Sequence, residues 1–410
     1  MFLERAAVTT HVPQWVCHLS PLMHQLKSKR HSSLHKMVMI VKEHGSVNDI
    51  SAKAWNNLLG CEGGRCPFLK QEFFAALEAS GAASPTTGWT AKHLSIWADD
   101  QIKAIVPMYV KDHSYGEYVF DHAWANAFMR AGGQYYPKLV SAIPFTPVPG
   151  QRILTQYASD DVWDALITYF ERSGYSSWHG LFSTQDAPSI HSSVMCRRDV
   201  QFHWKNDGYQ SFDDFLTALN SRKRKQIKKE RTKVLKSELN LKFLRGDDIK
   251  SHHWDGFVRC HEATVDRKWG QAYLNRETFE ELQACMGHNL ALSAAFYGTE
   301  MIAGAWCLIG HDTIFGRQWG ARVQIEFLHF ELCYYQTIAH AIDLGLDKVE
   351  AGVQGEHKLA RGFEPIETRS LHWVQHQGFA NAIQTFLDEE SKYVEDVIAH
   401  YQERSPFKQK

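Results

Sequence analysis

The succession of apolar runs and turns between Leu290 and Trp373 constrains the fold of this 410-residue chain more than any other feature. Leu290–Phe296 and Met301–Ile309 are apolar runs joined by Tyr297-Gly298-Thr299-Glu300, and Thr313–Trp319 follows the turn Gly310-His311-Asp312. Glycine and small polar residues at those points supply turn conformations, so the spacing predicts three hairpin-linked strands. Phe327, Phe330, Tyr334, Ile338, Ala341 and Ile342 then recur at three- and four-residue steps, which predicts a helix with one buried face. Gly345 stands where a helix C-terminal cap is expected. Lys348–Gly352 reads as a further strand, His357–Arg361 as one helical turn and Arg369–Val374 as a last strand.

The first half echoes this pattern. Leu94-Ser95-Ile96-Trp97, the turn Asp99-Asp100-Gln101 and Ile102–Val110 mirror Leu292-Ser293-Ala294-Ala295, the turn Gly298–Glu300 and Met301–Ile309. Self-similarity at about 200 residues predicts two copies of one module rather than a solenoid. A hydrophobic content of 44% suffices for real cores. The formal net charge of -1 gives no bulk attraction for DNA or another polyanion, so any such binding needs a local patch.

One such patch exists. Nine of the fifteen residues from Arg222 to Lys236 are basic and only Glu230 is acidic. Phe212, Phe215, Leu216, Leu219, Ile227 and Val234 keep helical spacing around it, with Ser211 as the expected N-cap, so the stretch reads as one amphipathic helix with a cationic face. Like charges one turn apart repel, so a face this basic favours an anion, and Arg222, Arg224, Lys228 and Lys229 are the candidate ligands.

Several segments carry a family resemblance. Phe315-Gly316-Arg317-Gln318-Trp319-Gly320, Phe327-Leu328-His329-Phe330-Glu331-Leu332-Cys333-Tyr334-Tyr335 and Gln354-Gly355-Glu356-His357-Lys358-Leu359-Ala360-Arg361-Gly362-Phe363 resemble the FemAB-like, GNAT-type N-acyltransferases, a family often labelled peptidoglycan biosynthesis or recognition. In the first half, His113-Ser114-Tyr115-Gly116-Glu117-Tyr118-Val119-Phe120-Asp121, Tyr135-Tyr136-Pro137-Lys138-Leu139 and Pro144-Phe145-Thr146-Pro147-Val148 resemble it too. The resemblance runs roughly from Trp55 to Glu390. Members commonly carry Tyr where this chain has Gln318, and Ala where it has Val353. It implies a mixed α+β fold of tandem GNAT-like domains, each a mostly antiparallel sheet flanked by helices. The implied layout is a basic extension over 1–40, domains over 41–200 and 201–385 with a junction near Arg197–Lys205, and a C-terminal helix or tail over 386–410. The extension reads as a transit peptide, a disordered leader or an upstream start ahead of Met37 or Met39, the last being preferred.

The activity implied is direct transfer of an acyl or aminoacyl group from an activated carrier, acyl-CoA in the first instance, to a small amine or wall-precursor acceptor. Such a reaction needs a base, a donor for the developing oxyanion and anchors for the carrier. Glu331, on the apolar stripe of its helix, and His357 are the candidate bases. Glu331 in a structural salt bridge, for example to Arg317, is the alternative. Arg317, Gln354, Gly355, Lys358 and Arg361 are candidates for holding the carrier, although the glycine-rich pyrophosphate loop of ordinary GNAT enzymes is missing. On a strand, His113, Tyr115 and Glu117 would share one face. By the resemblance, His113, Ser114, Glu117, Tyr136, Lys138, Arg152 and Trp319 are the candidates for the acceptor side. A Fem-like transferase fed by aminoacyl-tRNA through the basic helix, and a module that binds a muropeptide or protein without turnover, are the alternatives.

Other chemistries lack their signatures. No HExxH or recurrent CxxC argues for a metal, no GxSxG elbow for a serine hydrolase, and Cys333 reads as a packing residue. No apolar run approaches the roughly 18 residues of a membrane helix, and eight scattered cysteines fit a reducing cytoplasm.

Overall fold

The computed structural model describes residues 38–156, 160–185, 191–267, 270, 272–353 and 355–408, so the basic N-terminal stretch up to residue 37 lies outside it. The strands are β1 (Ile40–His44), β2 (Thr90–Ala91), β3 (His93–Ala98), β4 (Gln101–Val106), β5 (Tyr109–Lys111), β6 (Lys138–Ser141), β7 (Ser177–Gly180), β8 (Met195–Lys205), β9 (Asn240–Arg245), β10 (Leu290–Tyr297), β11 (Glu300–Ile309), β12 (Thr313–Ala321), β13 (Lys348–Glu350) and β14 (Glu364–Val374). The longer helices are α1 (Ala52–Leu59), α2 (Gln71–Ala79), α3 (His122–Arg130), α4 (Asp160–Ser173), α5 (Phe212–Ala218), α6 (Ser221–Leu235), α7 (Ser251–Asp266) and α8 (Arg276–Met286). A composite α9 runs through Leu328–Phe330, Glu331–Tyr335 and Gln336–Asp343, and α10 spans Gln377–Glu403.

Eleven strands make one mixed sheet in the order β2-β5-β6-β7-β14-β8-β13-β12-β11-β10-β9. Two neighbouring pairs are parallel, β6 with β7 and β12 with β13, and each is joined through a helix, α4 or α9. Parallel neighbours need such a crossover, whereas antiparallel ones close through hairpins. One parallel pair in each half, in an otherwise antiparallel sheet, is the tandem GNAT-like α+β arrangement. The halves interlock. β14 runs between β7 and β8, pairing Leu371 with Gly180 and Glu364 with His203. Arg197–Lys205, read from sequence as a junction, lies within the central strand β8.

The three hairpin-linked strands form as their turns predict. The echo in the first half diverges from it. β3 pairs with β1 on one edge and β4 on the other, in a separate three-stranded sheet. Pro107, with no N–H to donate, follows β4 directly and ends the ladder before β5. The amphipathic segment 211–236 is two helices rather than one. Leu219 is extended, and Asn220 caps α6 by accepting from Lys223 N, as Ser211 caps α5 by accepting from Asp214 N.

The two faces of the sheet are covered differently. Phe68, Phe145, Trp306 and Phe315 belong to one core cluster, so elements of the first half cover one face of β11 and β12. Ile314, Val349, Tyr334, Tyr335 and Ile338 belong to another, which packs α9 on the opposite face.

Candidate functional site

β12 and β13 pair only from Thr313–Lys348 to Phe315–Glu350, yet β12 continues to Ala321. The two strands therefore part at the level of Gly316. The ladder between β11 and β12 also shifts register between Ala305 and Cys307, a bulge opposite Arg317 and Gln318. Bulges re-aim side chains and terminate pairing, commonly beside active sites.

On the α9 side of this opening lies the 3₁₀ turn Glu356–Arg361. Lys358 is 1% exposed, and its Nζ donates to Gly352 O at 2.5 Å. Burial pushes its pKa down to about 7, with Cys333 opposing the shift. His357 is exposed and shares a 2.8 Å hydrogen bond between Nε2 and the hydroxyl of Tyr334. Partial desolvation of the ring, then Arg361 and Lys358, hold its pKa below the usual histidine value. Gly355 precedes them at φ 117°, where a Cβ would overlap the His357 ring, so the turn needs glycine. Gln354 lies outside the described residues.

Arg361 is committed elsewhere. Its Nη2 lies 3.0 Å from both carboxylate oxygens of Glu230 on α6, and its Cζ lies 3.4 Å from the centroid of the Phe330 ring. Glu331 is fully buried and locked. It accepts from Arg231 Nε and Nη2, both at 3.1 Å, and from Gln336 Nε2 at 2.8 Å. The partner is Arg231 of the basic helix and not Arg317. The residue pair 331 and 336 is spaced five apart because α9 is π-helical over Glu331–Tyr335, a device recurrent at functional sites. Two residues of α6 thus reach inward, and most of its other cations face outward. Arg222, Lys228 and Lys229 are exposed and Arg224 half-buried. Lys228 pairs with Asp213 at 3.4 Å.

The opposite face carries groups that sequence reasoning missed. By register His203 of β8 stands beside Glu350 of β13, with Gln201 two residues along on the same side. Gln201 Nε2 donates to Pro147 O at 3.0 Å, and Arg317 Nη2 to Phe145 O at 2.5 Å, so the rigid proline loop roofs this face. Burial lowers His203 to about 4 against the pull of Glu350. Burial also lowers Arg317 to about 10, which leaves it charged at neutral pH. Trp319 is half-buried, with His329 edge-on at 5.2 Å. No single pattern marks Glu350 or His203 in sequence, since β13 is only Lys-Val-Glu and β8 mixes polar and apolar residues along its length.

In the first half the anticipated shared face of His113 and Glu117 does not form, because β5 ends at Lys111 and residues 112–121 are turns. His113 is half-buried, and Glu117 is buried on the fully buried Lys138. Lys138 Nζ donates to Glu117 at 2.8 Å, Asp121 at 2.5 Å and Ser114 Oγ at 2.8 Å, and Ser114 meets Tyr136 OH at 2.8 Å. Burial raises Glu117 to about 7 despite Lys138. Burial pushes Asp121 up as well, but there Lys138 and His179 outweigh it and hold the carboxyl well below its usual range. Arg152 is 1% exposed and turns its guanidinium to backbone carbonyls, Val148 O at 2.7 Å, Gln151 O at 3.1 Å and Leu181 O, rather than to an anion. Among the described residues, no group of three His, Cys, Asp or Glu is placed to hold a metal ion. Nor, among them, is any helix long and apolar enough to cross a membrane.

Two interlocked halves, each with one parallel pair and its crossover helix, define a tandem GNAT-like fold whose parted strands frame the site. The chain belongs to the FemAB-like family, described as peptidoglycan biosynthesis/recognition, whose profile matches residues 46–409. No curated protein matches it in sequence. Among solved structures, FemX is similar at 10% identity and TM-score 0.52 over 85% of this chain and 100% of its own. The L-PGS of Bacillus licheniformis is similar at 7% and 0.50, over 87% and 99%. The C-terminal domain of a putative lysylphosphatidylglycerol synthetase from Agrobacterium fabrum is similar at 7% and 0.50, over 81% and 94%. At these identities the structural likenesses speak to the fold. The family's description ties the chain to peptidoglycan biosynthesis or recognition, and the structural likenesses add the fold.

Proposed function

We propose that the protein is an N-acyltransferase that passes an acyl group from acyl-CoA directly to an amine acceptor. The observation that carries this reading is Lys358, buried where β12 and β13 part and held at a pKa of about 7. A proton acceptor works best with a pKa near the operating pH, and a buried lysine reaches that value by desolvation. In this reading Lys358 takes a proton from the acceptor ammonium, the free amine attacks the thioester carbonyl, and CoA leaves as the thiol. His357, positioned by Tyr334, is the alternative base. Glu331 is assigned to structure, because a guanidinium and an amide already engage its oxygens. The seven described cysteines are free, as expected in a reducing compartment, and we place the reaction in the cytoplasm.

A ligand that binds the folded state raises its melting temperature by mass action. Titration with acetyl-CoA and a longer acyl-CoA is therefore the first test. Saturable stabilisation by either supports the reading, and no response to both overturns the choice of donor. One observation favours an aminoacyl-tRNA donor instead. Arg222, Lys225, Lys229 and Lys236 have no ion-pair partner among the described residues and lie on one exposed face of α6 and its C-terminal cap. Salt-sensitive binding of bulk aminoacyl-tRNA, with silence toward CoA thioesters, would select that donor. Silence toward both would favour a binding module.

A further inference from the structure

Glu350 and Arg317 each keep one buried polar atom without a hydrogen-bond partner among the described residues, Oε2 of the carboxylate and Nε of the guanidinium. Other atoms of each side chain are engaged. Glu350 Oε1 takes Lys348 Nζ at 2.8 Å and lies 3.6 Å from His203 Nδ1. Arg317 donates to Phe145 O and lies over the Phe68 ring, Cζ to centroid 5.5 Å. Each side chain is therefore held in place, and no ion pair joins the two among the described residues.

An unmet buried polar group costs about 1–3 kcal/mol, and a charged one more. Here an unmet acceptor on an anion and an unmet donor on a cation sit on neighbouring strands. Glu350 is level with Phe315, and Arg317 is two residues further along β12, about 7 Å in the strand direction. A small molecule meeting both atoms would make one hydrogen bond at each end, at roughly 2.9 Å apiece. Such a molecule offers a donor at one end and an acceptor at the other. His203 beside them is neutral at pH 7 and does not repel a cation.

We propose that Glu350 and Arg317 form a seat for a zwitterion, with an amine on Glu350 Oε2 and a carboxylate on Arg317 Nε. This deepens the transferase reading and rests on it only for the word acceptor. The acceptor is then an amino acid or short peptide whose amine and carboxylate lie close together, not a simple amine. Both contacts are directional, and a site built around them rejects a ligand that leaves either atom unpaired.

The test is calorimetric and thermal-shift titration of the full chain with L-alanine, L-alanyl-L-alanine, ethylamine and propionate. L-Alanine or the dipeptide should bind saturably, and ethylamine and propionate at least tenfold more weakly. Glu350→Gln should erase the preference over propionate while keeping that over ethylamine. Arg317→Gln should do the reverse, and Arg317→Lys, which keeps the charge but moves the donor, carries the test if the Gln variant melts early. No binding by either zwitterion, or both preferences surviving in both variants, overturns the seat and assigns the two atoms to water. The outcome is separable from the transferase reading. L-Alanine bound by a protein that consumes no acyl donor keeps the seat and sinks the transferase. Ethylamine acylated as fast as L-alanine does the opposite.

Discussion

Arg361 and Glu230, 131 residues apart in the chain, meet as a buried ion pair in which Nη2 lies 3.0 Å from each carboxylate oxygen. Their side chains are 5% and 4% exposed, and Glu230 also accepts from Tyr335 OH and from Gln226 Nε2 at 2.9 Å. The pair fastens the turn that carries Lys358 to the basic helix. Removing one partner of such a pair leaves an uncompensated buried charge, at a cost of about 3–5 kcal/mol. Glu230→Ala should lose that much in urea denaturation, whereas Glu230→Gln with Arg361→Met should recover most of it. A Glu230→Ala loss below about 1 kcal/mol would show that the guanidinium relaxes to solvent, and the fastening role would fall.

Lys358 gives two pH signatures. If it is the base, kcat/KM rises with pH through about 7 and then levels. Lys358→Arg, which stays protonated, should lose about 100-fold and flatten the rise. An unchanged profile in the variant would move the base to His357. Stability follows the same shift. The folded pKa lies below the unfolded value near 10.4, so the favourable contribution is present above about 10.4 and is lost as pH falls to about 7. Lys358→Met should therefore be more stable than the parent at pH 6, and the gap should close toward pH 10.

Glu117 shifts the other way. Burial raises its folded pKa to about 7, above its unfolded value near 4.3. Its contribution is fully present below about 4.3 and is lost as pH rises through 7. Glu117→Gln mimics the protonated form, so its melting temperature relative to the parent should climb between pH 4 and pH 8. A constant difference across that range would mean that Lys138 keeps Glu117 ionised throughout.

Gly320 of β12 faces α7 so closely that a Cβ would overlap the backbone nitrogen of His261 and the carbonyl carbon of Cys260. Backbone cannot yield as a flexible side-chain tip does. Gly320→Ala should cost at least about 2 kcal/mol by overpacking, read as a lower denaturation midpoint with an unchanged slope. Gly298→Ala makes the comparison, since nothing lies within 4 Å of its would-be Cβ and its cost comes only from a φ of 58°.

The local pattern was more legible than the assembly. Turn chemistry at Gly298 and Gly310 marked the β10–β12 meander because hairpin partners are sequence neighbours. The place of β14 between β7 and β8 left no such mark, since its partners lie more than 150 residues away and strand periodicity does not name a partner. Continuous apolar spacing concealed the break at Leu219-Asn220, where side-chain capping restarts the helix. Glu331 was legible as a buried carboxylate, but its partner Arg231 sat unremarked among nine basic residues. Lys358 and Arg361 looked alike as cations of one short turn. Burial separates them, because only Arg361 has a carboxylate partner and Lys358 ends on a carbonyl with its charge destabilised.

The outward face of α6 can be tested without knowing the donor. Arg222, Lys225, Lys229 and Lys236 lack partners among the described residues, whereas Lys233 pairs with Glu326. Each phosphate neutralised by a protein cation releases counterions, so binding to a single strand weakens with salt at a slope of about 0.7 per contact. If all four touch phosphates, replacing them with Ser should lower the slope of log K against log salt by about 3 for aminoacyl-tRNA. Acyl-CoA affinity should stay the same if that donor occupies the gap between β12 and β13. A lowered slope with no loss of transfer activity would make the face an accessory anion surface. An unchanged slope would remove α6 from tRNA binding altogether and leave its charge to the two inward contacts, Glu230 with Arg361 and Arg231 with Glu331.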